Sequence, residues 1–343
     1  MPLTSVTQKT VDADEDGMRL DRWFKVHFPG VGFGHLQKML RSGQIRVDGS
    51  RVKTASRVAA GQVVRVPPLD AESAGKPRHM TAGTIRDRGD GDVLRDMLLF
   101  EDNKVLVFNK PAGLAVQGGS GINRSVDSML EAWRDRSGQK PRLVHRLDRD
   151  TSGVLVVART RGAAAELTKS FRHRDTDKTY WALIAGVPRQ REGRISSYLV
   201  KEKTDEGDRM RVARHGERGA DHAVSNYRII DSGPRKVSWV ELKPVTGRTH
   251  QLRVHAAHLG HAIVGDPKYF DIENWERPGG IQNRLHLHAR RIRIPHPDPS
   301  QPLLDITAPL PPHMVQSWNL LAFDEADGLL DEEGEARVRD MQK

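Results

Sequence analysis

Nine consecutive residues, His145-Arg146-Leu147-Asp148-Arg149-Asp150-Thr151-Ser152-Gly153, place an acid between two arginines and close on a small-residue turn. The apolar run Val154-Leu155-Val156-Val157 follows at once and reads as a buried strand. A carboxylate held at the mouth of a strand beside fixed cations is expected to stay ionised, because neighbouring positive charge lowers its pKa. Such a group can serve as a nucleophile or as a base. A surface turn carrying a salt bridge is the other reading of an isolated Arg-x-Asp.

Four more strings stand out. Asn109-Lys110-Pro111-Ala112-Gly113-Leu114-Ala115-Val116 ends an apolar strand, and Lys110 could contact a phosphate or simply belong to a rigid proline turn. Lys178-Thr179-Tyr180 opens a strand, so Tyr180 is either a core tyrosine or a group presented to a site. In Thr246-Gly247-Arg248-Thr249-His250-Gln251-Leu252-Arg253-Val254-His255, the apolar neighbours of Arg253 indicate a segment that packs. Leu287-His288-Ala289 is the last. Gly118-Gly119-Ser120-Gly121 is neither a P-loop nor a nucleophile elbow, since it lacks the Gly-Lys-Ser/Thr ending of the one and the Gly-x-Ser-x-Gly order of the other. His250, His255, His258 and His261 raise the question of a metal. Only His255 and His258 share a helix face, and no carboxylate follows at ligand spacing, so a packed or solvated helix is expected and no metal.

The elements that must carry these residues fall into blocks. Residues 1–16 read as a disordered lead-in. In 17–68, Leu20, Trp23, Phe24 and Phe28 share one helical face, and Leu36, Met39 and Leu40 share another. Gly43 stands where a helix ends. Ile45-Arg46-Val47 and Arg51-Val52-Lys53 flank Asp48-Gly49-Ser50 as a hairpin, and Gly61 to Val66 adds a strand. Residues 69–95, rich in Gly, Asp, Arg and Ala, read as a linker. Residues 96–322 form the second domain. Strands are expected over Val105–Phe108, Tyr180–Ile184, Val224–Arg228, Val237–Leu242 and Leu285–Ile294. Helices are expected over 126–134, 161–172 and Thr249–Leu259, the last stopped by Gly260, with an exposed hairpin or loop over 201–222. The tail, 323–343, is acidic and reads as a loose or helical appendage. The fold class is α+β, a mixed and mainly antiparallel sheet with helices, because regular strand–helix alternation is missing.

At 343 residues the chain is long enough for about two domains. A net charge of +10 favours a polyanionic partner, nucleic acid before membrane. The absence of cysteine excludes disulfides and thiolate metal sites. No apolar run is long enough to span a membrane, and the acidic N-terminus does not look like a secretory or import peptide, so the cytoplasm is expected. Nothing in the heptad pattern argues for obligate assembly, so a monomer is expected. The fifteen histidines imply a mild pH sensitivity of affinity for such a polyanion.

Together, and in this order, the five strings resemble the signatures of the RluA family of RNA pseudouridine synthases, from about Gly17 to near Pro309. The resemblance implies the pseudouridine synthase fold and an isomerase that breaks and rejoins a glycosidic bond with no redox cofactor and no metal. It implies that Asp148 is the catalytic carboxylate and Arg253 its salt-bridge partner. Tyr180 would set its ring against the target base, with a hydroxyl able to relay a proton, and Arg146 would enter the space vacated when the uridine is extruded. Whether Asp148 attacks a ribose carbon or removes a ribose proton to give a glycal stays open. The helix–helix–hairpin block resembles the S4 RNA-binding domain, which would bring Lys38, Arg41, Arg46 and Arg51 near phosphates. The string Val116-Gln117-Gly118-Gly119-Ser120-Gly121 resembles the RluC-type branch, which acts on the 23S RNA of the large ribosomal subunit. Another ribosomal site, transfer RNA, or a non-catalytic RNA-binding ribosome-assembly role on the same fold are the alternatives.

Overall fold

The computed structural model describes residues 6–12, 15–28, 31, 33–69, 83–119, 122, 124–173, 175–204, 207–233, 237–271 and 275–328. It divides into two compact units, Met1–Arg86 and Asp87–Lys343.

In the first unit, strand β1 (Thr7–Thr10) precedes helices α1 (Leu20–His27) and α2 (Phe33–Arg41), then β2 (Arg46–Val47) and β3 (Val63–Val66). The helices bury Leu20, Trp23, Phe24, Phe28, Leu36, Met39 and Leu40 against Val64 and Val66, as the helical spacing requires. Two expectations are corrected here. Part of the lead-in is ordered: β1 pairs antiparallel with β3, and buried Glu15 accepts the Trp23 indole N–H at 2.7 Å. The hairpin has a different second strand. Asp48 and Gly49 both adopt positive φ, 47° and 76°, as a tight turn demands, and Val47 bridges Ser50. Residues 51–53 then leave the sheet, and β2 pairs with β3 instead.

Helix α3 (Gly83–Asp96), most of which belongs to the second unit, takes up 83–95 of the expected linker, whose residues 70–82 lie outside the described residues. Its three glycines and its aspartates are poor helix formers, but Leu94 is fully buried and the Trp133 indole N–H donates to the Gly91 carbonyl at 3.1 Å. Then come β4 (Leu98–Glu101), β5 (Val105–Lys110), α4 (Val126–Met129), β6 (Arg142–Leu143), β7 (Ser152–Ala158) and α5 (Arg161–His173). They are followed by β8 (Asp177–Ala185), β9 (Glu192–Thr204), β10 (Gly207–Val212), β11 (Asp221–Gly233) and β12 (Val237–Pro244). Helix α6 (Gln251–His258), β13 (Leu287–Ile294), β14 (Leu304–Thr307) and α7 (Pro312–Leu321) complete the unit. The strands form one eleven-stranded sheet among the described residues, in the order β10-β9-β11-β12-β8-β13-β7-β5-β4, with β14 on β13 and β6 on β7. Every pairing is antiparallel except β13 with β7. The mixed, mainly antiparallel α+β class expected from the sequence is the one found.

Period-two alternation sorts the side chains onto two faces. On β8, Trp181 and Leu183 pack toward α7, while Ala182 and Ile184 pack toward α6 with Tyr180 alongside. On β12, Trp239 and Leu242 divide the same way. The parallel seam is short. Ser152 opposes His288 and Gly153 opposes Ala289. Gly153, at φ 110°, is required there, because a Cβ would lie 2.2 Å from the Ala289 carbonyl oxygen. Ser152-Gly153 is therefore the buried start of a strand and not a turn. The tail also departs from expectation: Phe323 is buried against the tryptophan cluster, and Glu325 pairs with Arg290 at 2.9 Å. Residues 329–343 of that tail lie outside the described residues.

Candidate active site

Asp148 sits in the loop between β6 and β7, and several independent contacts fix that loop. Leu147 is buried in the core beneath it. The His145 ring stacks on Phe171 at 4.5 Å and its Nε2 accepts the Val156 N–H at 2.8 Å. Ser152 Oγ lies 2.9 Å from His288 Nδ1. From the other side, Gly113 donates its N–H to the Arg149 carbonyl at 2.9 Å, and Arg149 Nε returns a bond to the Gly113 carbonyl at 3.1 Å.

Lys110 corrects an expectation. Its side chain is fully buried and its ammonium donates to the carbonyls of Pro111, Leu114 and Arg149 at 3.0, 2.8 and 3.0 Å. Burial draws its pKa down to about 7, against the opposing pull of Asp150 and Asp148. Lys110 therefore pins the turn after β5 to the Asp148 loop and does not contact a phosphate.

Around Asp148 opens a cleft of about 600 Å³, lined by Arg146, Asp148, Lys178, Tyr180, Arg248 and Arg253 among others. Tyr180 reaches it from β8, where the register sets it opposite Leu242 on β12 and Ala289 on β13. Burial, reinforced by the charge of Asp148, pushes its hydroxyl above the ordinary tyrosine pKa, so it stays protonated. Arg253 reaches it from α6. Its Nη1 lies 3.7 Å from Asp148 Oδ2, and the two side chains are 3% and 20% exposed. Arg146 is exposed, with Nη2 donating to Thr249 Oγ1 at 2.9 Å. The cleft thus combines one carboxylate, one protonated phenol and a rim of cations, which suits an anionic polymer presenting a planar ring. The structure gathers Asp148, Tyr180, Arg253 and Arg146 here. Lys38, Arg41, Arg46 and Arg51 belong to the first unit, where Lys38, Arg41 and Arg51 are exposed and Arg46 donates to the carbonyls of Gly43 and Gly49.

Asp266 escaped the sequence reading. Its side chain is 0% exposed and grips Arg253 in a two-pronged pair, accepting from Nε and Nη2 at 2.7 Å each. It also accepts the backbone N–H of Lys268 and of Tyr269. Gly265 makes the turn possible, because at φ 73° a Cβ would meet the Arg284 carbonyl at 2.0 Å. The one sequence signal was Gly265-Asp266-Pro267, a turn cluster that does not reveal its partner. Of the sequence cluster, His250 lines the cleft, while His255 and His261 are engaged in packing contacts. His255 contacts the hydroxyls of Ser225 and Ser197 at 2.9 and 3.1 Å. Burial holds His145 and His288 at pKa values of about 3 and His255 and His286 at about 4, so these four contribute no charge change to RNA affinity near neutrality.

Residues 104–258 match the family described as RNA pseudouridylate synthase. Among curated relatives, "Ribosomal large subunit pseudouridine synthase C" of Vibrio vulnificus is 36% identical over 304 residues, covering 88% of this chain and 92% of the relative. The protein of the same name from Escherichia coli K12 is 35% identical over 315 residues, covering 89% and 93%. Among solved structures, human RNA Pseudouridylate Synthase Domain Containing 4 superposes with a TM-score of 0.58 at 29% identity, covering 70% of this chain and 98% of that one.

Proposed function

The chain belongs to the RNA pseudouridylate synthase family, and from that premise we propose that it isomerises specific uridines to pseudouridine in the 23S RNA of the large ribosomal subunit. The observation that carries the reading is the placement of the Asp148 carboxylate, the Tyr180 ring and the Arg253 guanidinium in one cationic cleft. The relatives named for the large ribosomal subunit support the choice of RNA.

The reaction breaks the bond from ribose C1′ to uracil N1 and forms one from C1′ to C5. N1 takes up a proton and C5 gives one up, so no group enters or leaves. Asp148 either attacks C1′ or removes the 2′ proton. Both routes need its oxygen held against the ribose, and Arg253 supplies the charge that holds it. Tyr180 sets its ring against the base, and its hydroxyl, kept protonated, can exchange a proton with the detached uracil. Arg146, exposed at the rim, stacks into the space left by the extruded nucleotide. The enzyme is proposed to act as a monomer in the cytoplasm. No helix among the described residues is long and apolar enough to cross a membrane.

The test of the substrate is a map of pseudouridines in RNA from cells lacking the protein. Specific 23S positions are expected to revert to uridine and to be restored by the wild-type chain. Unchanged 23S RNA with losses confined to transfer RNA would overturn the choice of substrate.

The first unit is proposed to act as an S4-like RNA-binding module through Lys38, Arg41, Arg46 and Arg51. Deleting residues 1–75 is expected to weaken RNA binding and to lower the slope of log affinity against log salt by about 3, since each phosphate contact releases close to one counterion. Isomerisation of a short RNA is expected to survive in part. A truncated chain with the full salt slope would show that the unit does not touch RNA.

A further inference from the structure

His250 stands in the cleft with no part in the chemistry described so far. It precedes α6 and its backbone is left-handed, φ 52° and ψ 18°. A bulky residue adopts that conformation only where its surroundings enforce it. The enforcing residue is Gln251, whose Oε1 accepts from Thr246 Oγ1 at 2.7 Å and from the Arg248 N–H at 3.0 Å. The Gln251 amide nitrogen donates to the Val224 carbonyl and to Ser225 Oγ, both at 2.8 Å, which anchors the segment to β11. The imidazole is thereby aimed into the cleft, with Nε2 3.9 Å from Asp148 Oδ2 and Nδ1 2.6 Å from the Tyr269 hydroxyl.

Tyr269 and Asp148 together bear on which nitrogen carries the proton. Its oxygen accepts the backbone N–H of Met210 on β10 at 2.9 Å. A phenol has one hydrogen. With the β10 N–H taking one acceptor site of its oxygen, that hydrogen is free to run to His250 Nδ1, and the tautomer that receives it is also the one that turns a donor, not a lone pair, toward the Asp148 carboxylate. A neutral imidazole then keeps its own proton on Nε2, the nitrogen that faces Asp148. Burial lowers the pKa of His250 and favours this neutral form. Arg253 and Lys268 add to the lowering, while Asp148 and Asp266 oppose it. The same Tyr269 ring lies 5.0 Å from the Arg253 guanidinium, so both donors near Asp148 share one support.

We propose that His250 is a positioning residue for the catalytic carboxylate: in the Nε2–H form, with Tyr269 donating to Nδ1, it closes onto Asp148 Oδ2 as the ribose enters and, with Arg253, fixes the direction of the reacting oxygen. The inference rests on Asp148 as the catalytic group. Arg253 Nη1 and His250 Nε2 stand 3.7 and 3.9 Å from the same oxygen, and closure by less than 1 Å, of the kind that accompanies substrate binding, would bond both.

Tyr269→Phe keeps the ring beside Arg253 and removes only the hydroxyl. Its kcat is expected to fall about tenfold, the rate equivalent of one charge-assisted hydrogen bond, with KM for RNA within about twofold of wild type. His250→Gln, which offers an N–H donor near the same place, is expected to be about fivefold more active than His250→Ala. Long-range proton–nitrogen NMR of the wild-type imidazole reads the tautomer directly and is expected to place the proton on Nε2. Wild-type kcat in Tyr269→Phe, equal losses in His250→Gln and His250→Ala, or a proton on Nδ1 would each overturn the inference. Activity retained in Asp148→Asn would instead remove its premise, and the NMR result, which does not depend on catalysis, separates the two failures.

Discussion

Asp148→Asn is expected to lower pseudouridine formation by about 10³-fold or more while RNA affinity is kept or rises. The substitution is nearly isosteric and removes only the ionisable group. Either route needs that group, because an amide neither attacks C1′ nor takes a 2′ proton. The fold should be indifferent to the change. Arg253 is bonded to Asp266 through two nitrogens at 2.7 Å, and its third nitrogen meets Asp148 at only 3.7 Å, so losing the Asp148 charge leaves no buried cation without a partner. The urea midpoint is therefore expected to stay at the wild-type value. Affinity should hold because a negative charge leaves a cleft that receives phosphates. Product counted on a defined 23S fragment, with binding measured in parallel, decides the matter. Undiminished product would sink Asp148 as the reacting group.

Asp266→Ala is expected to cost about 3–5 kcal/mol of stability in the second unit, the usual result of leaving one member of a buried pair alone. Arg253 is 3% exposed and Asp266 0%, so water cannot take over the lost partner. The remaining carboxylate facing Arg253 among the described residues is Asp148, and engaging it more tightly would draw the proposed catalytic group off its position. Activity is thus expected to fall along with stability. The double variant Asp266→Ala/Arg253→Met separates the two effects. It removes both charges and is expected to recover most of the stability, since an apolar pair can replace a buried ion pair at little cost, yet to remain inactive. Urea unfolding followed by tryptophan fluorescence reads the first effect and product formation the second. A single variant as stable as wild type would show that Arg253 does not depend on Asp266.

The sequence made the cleft legible as a set of strings and left their joining unread. Asp148 was marked by its flanking arginines and the apolar strand after it, and Tyr180 by its place at a strand start; both readings are local. Lys110 stays open in the sequence between a phosphate contact and a proline turn because its chemistry is decided by partners 1, 4 and 39 residues away, which close over it as carbonyls. Helix α3 was read as a linker because its residues are poor helix formers, while Leu94, buried in the core, supplies what propensity lacks. The hairpin turn at Asp48-Gly49 was correct, since positive φ is a property of those two residues, but the partner strand was wrong, since pairing is settled across the sheet.

By itself the sequence determined the class of the fold and the succession of main strands along the chain, because hydrophobic period acts over a few residues, and the resemblance of its strings to a family nominated the acid, phenol and guanidinium proposed for the chemistry. Only the tertiary structure decided that β13 runs parallel to β7 at Gly153, that Asp266 holds Arg253, and that β10 reaches His250 through Tyr269. Those contacts join segments far apart along the chain, and their geometry is set by packing and by the cost of leaving a buried charged group without a partner.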